Sequence, residues 1–142
     1  MPGEHWRRRL IGLAEYVATW SKDPSTKVGC VLADHKNRII SVGFNGMPRG
    51  VSDHWVADRQ QKILGVIHAE TNAILFAERS LEGATAYVTA PPCAKCAALL
   101  IQAGVRDVIC RPAGPEFARR WAEDIELAQS FYRDAGVRYV EI

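Results

Sequence analysis

Residues 84–110 read ATAYVTAPPCAKCAALLIQAGVRDVIC. The stretch divides into three pieces. Ala84 to Thr89 is a short run of apolar and β-favouring residues, so a strand. Pro91 and Pro92 lead into a helix from Cys93 to Ala103, which Gly104 ends. Asp107 to Cys110 is a second short strand. A strand, a helix and a strand in close succession form a crossover unit, with both strands parallel in one sheet and the helix packed on its face.

The pattern continues on both sides. Downstream, Pro115 to Ala135 reads as a long helix stopped by Gly136, and Val137 to Ile142 as a last strand. Upstream, His68 to Arg79 reads as a helix closed by Glu82-Gly83. Val28 to Ala33 and Arg38 to Phe44 are short strands joined by a turn at Asp34 to Asn37, which makes a hairpin. Glu4 to Ser21 is an amphipathic helix with Leu10, Leu13, Ala14 and Val17 at helical spacing. Two irregular stretches remain: the polar break Ser21 to Lys27, and the long segment Asn45 to Gly65, in which Asp58 to Leu64 allows a short helix. Loops of the second length are often functional. The expected fold is α/β: a three-layer α/β/α sandwich on a five-stranded mixed sheet, formed by residues 1–142 as a single domain.

Composition narrows the class. The chain has 142 residues, 48% hydrophobic and 24% charged, with a net charge of +2. These values suit an ordinary globular domain that needs neither disulfide nor metal to have a core. The small charge argues against a dedicated nucleic-acid binder. The one basic cluster, Arg7 to Arg9, reads as a solvated helix face or an oligomer contact. No apolar run reaches membrane-spanning length and the N-terminus lacks a signal-peptide pattern, so a cytoplasmic location is expected.

Chemistry concentrates in three places: His68-Ala69-Glu70, Pro92-Cys93, and Cys96. Cys93 and Cys96 fall on the first turn of one helix, so their sulfurs can meet at one ion. The helix N-terminus favours thiolates, the form that binds metal. His68 adds a third ligand from a second helix start. Three ligands leave a tetrahedral zinc one open position for water, as in catalytic sites. Glu70, two residues past His68, is placed to take that water's proton rather than to ligate. His-x-Glu followed by Pro-Cys-x-x-Cys resembles the pattern of zinc nucleobase deaminases, in which water attacks C4 of cytosine. Cys-x-x-Cys alone also fits a redox pair or half of a structural zinc site. A structural site would need a fourth ligand, and Cys30 and Cys110 qualify by type only. Both lie in apolar strand runs and read as core. His5, His35 and His54 belong to no motif and read as surface residues.

At larger scale the chain resembles the deoxycytidylate (dCMP) deaminase family of the cytidine deaminase-like superfamily. The segments concerned are Ser21-Lys-Asp-Pro-Ser-Thr-Lys-Val-Gly29, Gly43-Phe-Asn-Gly-Met-Pro-Arg-Gly50, His68-Ala-Glu-Thr-Asn-Ala-Ile-Leu75, Pro92-Cys-Ala-Lys-Cys96 and Ile101-Gln-Ala-Gly104. The resemblance implies zinc-dependent conversion of dCMP to dUMP. It implies that Asn45 bonds the sugar or base, Ala69 offers a backbone N–H to the pyrimidine, and Pro91 a carbonyl to the amine. It makes Ser21, Lys22 and Arg49 the phosphate candidates. It also implies a homo-oligomer, dimer or hexamer, with dCTP and dTTP as effectors. The chain departs from the family pattern at Phe44, usually tyrosine, at Trp20, often arginine, and through Val51 to Ile67, which lacks the extra zinc-binding cysteines of some members. Other substrates consistent with the motif are cytidine or deoxycytidine, modified or triphosphate cytosine nucleotides, guanine, and adenosine in tRNA. A non-catalytic zinc protein is the remaining alternative, and it would have no use for Glu70.

Overall fold

The computed structural model describes residues 1–142. Five helices and five strands follow one another as α1 (Glu4–Ala18), β1 (Gly29–Ala33), β2 (Ile39–Phe44), α2 (Arg59–Gly65), α3 (Ala69–Leu75), β3 (Thr85–Val88), α4 (Ala94–Gln102), β4 (Asp107–Cys110), α5 (Pro115–Ala135) and β5 (Arg138–Glu141). The strands form one sheet in the order β2-β1-β3-β4-β5. β1 pairs antiparallel with both β2 and β3. β3, β4 and β5 run parallel, as the two crossovers require. The sandwich and the mixed five-stranded sheet are those expected from the sequence.

The three central strands are buried along their whole length, because helices cover both faces. On one face, Leu10, Ile11 and Ala14 of α1 pack against Val31, Tyr87 and Ile109. On the other, Ala69 and Ala73 of α3, Ala97 and Leu100 of α4, and Ala128 and Tyr132 of α5 enclose the opposite side chains of the same strands. Cys30 and Cys110 belong to this second core, and His5, His35 and His54 are exposed. Arg7 to Arg9 lie on α1 and their contacts are local: Arg7 donates to the Pro2 carbonyl at 2.7 Å, Arg8 pairs with Glu4 at 2.8 Å and Arg9 lies over Trp6. No helix is long and apolar enough to cross a membrane.

Three local features set the position of the site. Gly43 of β2 lies directly under α3: a Cβ there would sit 2.5 Å from the Ala73 nitrogen and also against the Ala69 carbonyl. The missing side chain lets α3 approach the sheet closely. The Asn72 amide reinforces the approach by donating to the Phe44 carbonyl at 2.8 Å. α5 ends at Gly136 in the left-handed conformation, φ 73°, which releases the chain into β5.

α3 is shorter than the expected helix from His68 to Arg79. It stops at Leu75, where Phe76 takes φ −92° and ψ 1°. Beyond it Arg79 is drawn to Asp34 in the hairpin turn, 3.0 Å away, a tertiary tie that helical periodicity does not report. The 45–65 segment is irregular as expected but carries a 3-10 turn at Asp53–Ala57 ahead of α2.

Candidate active site

Two helix starts face each other beside the centre of the sheet. His68 is the N-cap residue of α3 and Cys93 that of α4. Both have extended backbones, which turn their side chains back across the helix ends. Cys96 follows one turn into α4, and its N–H donates to the Cys93 sulfur at 3.5 Å. The His68 Nδ1 lies 3.5 Å from each sulfur, and the three ligand atoms lie within 4.8 Å of one another. Zinc–nitrogen and zinc–sulfur bonds of about 2.0 and 2.3 Å at a tetrahedral angle place nitrogen and sulfur about 3.5 Å apart. The trio therefore has the spacing of a zinc ligand set.

The protonation chemistry of the trio agrees. Hydrogen bonding from Cys96, opposed by burial and aided by His68, lowers the Cys93 thiol. Cys96 is pushed up by that same bond to Cys93 and by burial. His68 is raised, first by its bond to Cys93. Three close, electron-rich donors thus perturb one another, as side chains gathered to share a divalent cation would. The three side chains are braced from outside. The Asp124 carboxylate on α5 accepts from the Ala94 N–H at 2.5 Å, next to Cys93, and Thr71 Oγ1 lies 3.6 Å from the Cys96 sulfur.

Glu70 is 4% exposed. Burial pushes its carboxyl up to about 7, while its own backbone and His68 pull the other way. Such a group can hold or release a proton near neutrality. It lines a cavity of about 380 Å³ together with His68, Ala69 and Cys93, a size usual for small-molecule sites. Pro91 and Asn45 lie on the same wall. The Asn45 amide is already engaged, donating to the Thr26 carbonyl and accepting from the Val28 N–H, both at 2.8 Å. It ties the polar break to the end of β2. Ala69 is the first residue of α3, so its N–H has no partner within the helix.

The three phosphate candidates are not brought to this cavity. Ser21 is turned inward, its hydroxyl donating to the Asn45 carbonyl at 2.9 Å. Lys22 pairs with Asp53 at 2.8 Å on the surface. Arg49 lies over the Phe76 ring, 5.4 Å from its centroid. The cations on the cavity wall are instead Arg59 and Lys62 of α2 and Arg120 of α5, and α5 adds Phe117, Trp121 and Ile125. Trp121 thus lines the cavity. The sequence does carry a signal for this wall. Phe117, Arg120, Trp121, Asp124 and Ile125 share one helix face, and a stripe that packed only on a sheet would not include an arginine and an aspartate.

The family model for the cytidine and deoxycytidylate deaminase zinc-binding region matches residues 4–111. The chain belongs to the cytidine and deoxycytidylate deaminase family. As a deaminase it is a hydrolase that releases ammonia. It is 51% identical over 133 residues to a protein of Aliivibrio fischeri described as an uncharacterized deaminase in the luxG 3′ region, covering 93% of this chain and 90% of that one. It is 38% identical to human deoxycytidylate deaminase over 112 residues, 73% of this chain and 63% of the human one. The deaminase thus spans less than two thirds of the human relative. The crystal structure of the dCMP deaminase from cyanophage S-TIM5 in complex with dCMP and dUMP shares its fold, with a TM-score of 0.78 at 23% identity and full coverage of both chains.

Proposed function

We propose that this deaminase is zinc-dependent and hydrolyses the 4-amino group of a cytosine nucleotide, converting dCMP to dUMP. The observation that carries the reading is the buried Glu70 carboxyl at the head of α3, lining the same cavity as His68 and Cys93. His68, Cys93 and Cys96 are the residues to hold zinc. When bound, zinc supplies Lewis acidity that lowers the pKa of a water to about 7. Glu70 takes a proton from the attacking water and delivers it to N3 as oxygen adds at C4. It then carries the second proton to the amine, the C4–N bond breaks, ammonia leaves and the C4 oxygen becomes the carbonyl. The Ala69 N–H and the Pro91 carbonyl orient the ring by hydrogen bonds to its carbonyl and its amine. Asn45 keeps the cavity wall in register through its bonds to Thr26 and Val28. The dCMP and dUMP complex of the cyanophage enzyme and the named deoxycytidylate deaminases among the relatives support this choice of substrate.

Ammonia release from dCMP, deoxycytidine, cytosine, guanine and a tRNA adenosine substrate tests the reading. The expected order puts dCMP first. Turnover of guanine or adenosine in preference to dCMP would overturn it. Glu70→Gln should keep stoichiometric zinc and lose turnover by a factor of about 10² or more; retained turnover would remove Glu70 from the mechanism. The exposed Tyr16, Trp20 and Phe44 rings, packed edge to face in sequence, support self-association as a dimer or hexamer, which sedimentation reads directly. Regulation by dCTP and dTTP rests on the family resemblance, and adding each to the dCMP assay tests it.

A further inference from the structure

The deaminase has thirteen arginines, and their partners are unevenly distributed. Ten engage a carboxylate, a carbonyl, a hydroxyl or an aromatic ring. The three without such a partner are Arg59, Arg106 and Arg120, and two of these, Arg59 and Arg120, line the cavity that ends on Glu70. They come from different elements, α2 and α5. The contrast within α5 is sharp. Arg119 is folded onto Glu116 at 2.7 Å, while the adjacent Arg120 faces the cavity with no acid of its own.

The third cation of the wall is differently placed. Lys62 is 17% exposed at its side chain and lies 3.4 Å from the buried Asp23 carboxylate. Its ammonium also donates to the Ser25 hydroxyl at 2.9 Å. Asp23 therefore compensates Lys62, and the pair braces α2 against the polar break. What remains uncompensated on the wall, Glu70 and the zinc ligands aside, is the charge of the two arginines. A phosphate monoester carries about −1.5 to −2 near neutral pH. Two guanidiniums offer the matching charge and the planar donor pairs that phosphate oxygens accept.

We infer that Arg59 and Arg120 form the phosphate clamp of this deaminase, and that they, rather than Ser21, Lys22 and Arg49, select a 5′-phosphorylated cytosine nucleotide over the nucleoside. The inference rests on the proposed cytosine-nucleotide reading and assigns the residues that enforce it. It also gives the divergent 51–67 segment a purpose, since Arg59 lies within it.

The test measures kcat/KM for dCMP and for deoxycytidine with the zinc-loaded enzyme, and calorimetric binding of dUMP and deoxyuridine. Variants are Arg59→Gln, Arg120→Gln, the double variant, and Lys22→Gln with Arg49→Gln as controls. Each arginine variant should lower the dCMP-over-deoxycytidine ratio about tenfold or more, chiefly through KM, with a parallel loss of dUMP binding. The controls should keep the wild-type ratio. Arg120→Lys should recover part of it. If the wild type prefers dCMP and the arginine variants keep that preference, the clamp is wrong and the cytosine-nucleotide reading stands. If the wild type binds dUMP no better than deoxyuridine and turns over both substrates alike, the nucleotide reading fails and the clamp with it.

Discussion

Gly43→Ala adds one methyl group at the point where β2 touches α3, about the smallest change that should disturb the whole site. The new Cβ would lie 2.5 Å from the Ala73 nitrogen and 3.0 Å from the Ala73 Cα, and would also press on the Ala69 carbonyl. All three are backbone atoms, so no side chain can swing aside. Comfortable contact needs about 3.5 Å, so α3 must move by about 1 Å or β2 must bend. Overpacking of this kind costs about 1–3 kcal/mol, and backbone on every side argues for the upper part of that range. α3 carries His68 and Glu70 at its head, whereas Cys93 and Cys96 ride on α4. A shift of about 1 Å between the two helices would therefore degrade both the ligand set and the reach of Glu70, and misplacements of that size cost on the order of 10²-fold in rate. Urea unfolding of the zinc-loaded protein, metal content and kcat together read the effect. Gly12→Ala is the control: Gly12 lies within α1, is exposed, and its added Cβ would meet nothing within 4 Å. It should stabilise by up to about 1 kcal/mol. A Gly43→Ala protein with the wild-type urea midpoint and kcat within twofold would refute the claim that close approach at this glycine sets the site.

Asp124→Ala removes the acceptor for the Ala94 N–H at the start of α4; it should cost about 1 kcal/mol and weaken zinc binding about tenfold, measured by chelator competition, with Asp124→Asn recovering most of the loss. Chelation of the metal should lower the melting temperature by on the order of 10 °C relative to protein with zinc a thousandfold above its dissociation constant; an unchanged melt after confirmed metal loss would show that the ligand trio contributes nothing to folding. Asp34 predicts an acid limb. Burial alone would push its carboxyl up, but the N–H groups of Arg38 and Lys36 and the guanidiniums of Arg79 and Arg38 more than reverse this and hold it well below the usual carboxylate range. Its folded value is depressed, so its contribution to stability is complete above the unfolded value of about 3.9 and is lost as pH falls below it. Asp34→Asn should be less stable than wild type at neutral pH and should converge with it in acid; a constant gap across that range would exclude the linkage.

The crossover strands and the ligand set are legible in the sequence because each is decided locally. Pro92 before Cys93, Gly104 after Ala103 and the three-residue spacing of the cysteines act within one or two helical turns. The Arg79–Asp34 tie that follows α3, and the turning of Lys22 to Asp53 and Arg49 to Phe76, depend on residues distant in the chain. Motif resemblance supplied the phosphate candidates, and a motif does not state which way an exposed lysine points. The cavity wall on α5 is an intermediate case. Its residues share a helical face, and Arg120 and Asp124 mark that face as more than a sheet-packing stripe, but periodicity alone does not reveal the void it lines.

The positions at which the family resemblance breaks down in the sequence reading lie near one another or near the cavity. Trp20 and Phe44 touch, their rings at 89° with centroids 6.0 Å apart, so two positions far apart in sequence form one contact. The 51–67 segment contributes Arg59, Lys62, Ile63 and Val66 to the cavity. The ligand trio and Glu70, in contrast, sit on two helix starts held to the sheet by Gly43, Asn72 and Asp124. This division has a physical basis. Metal ligation and proton transfer tolerate displacements of only about 0.5 Å, so they belong where packing leaves no freedom. Recognition of a phosphate needs charge within reach, and a guanidinium on a flexible stem supplies it from more than one backbone position. The deaminase can therefore keep its chemistry in the fixed part of the fold while the residues that choose the substrate lie on α2 and α5, at the rim.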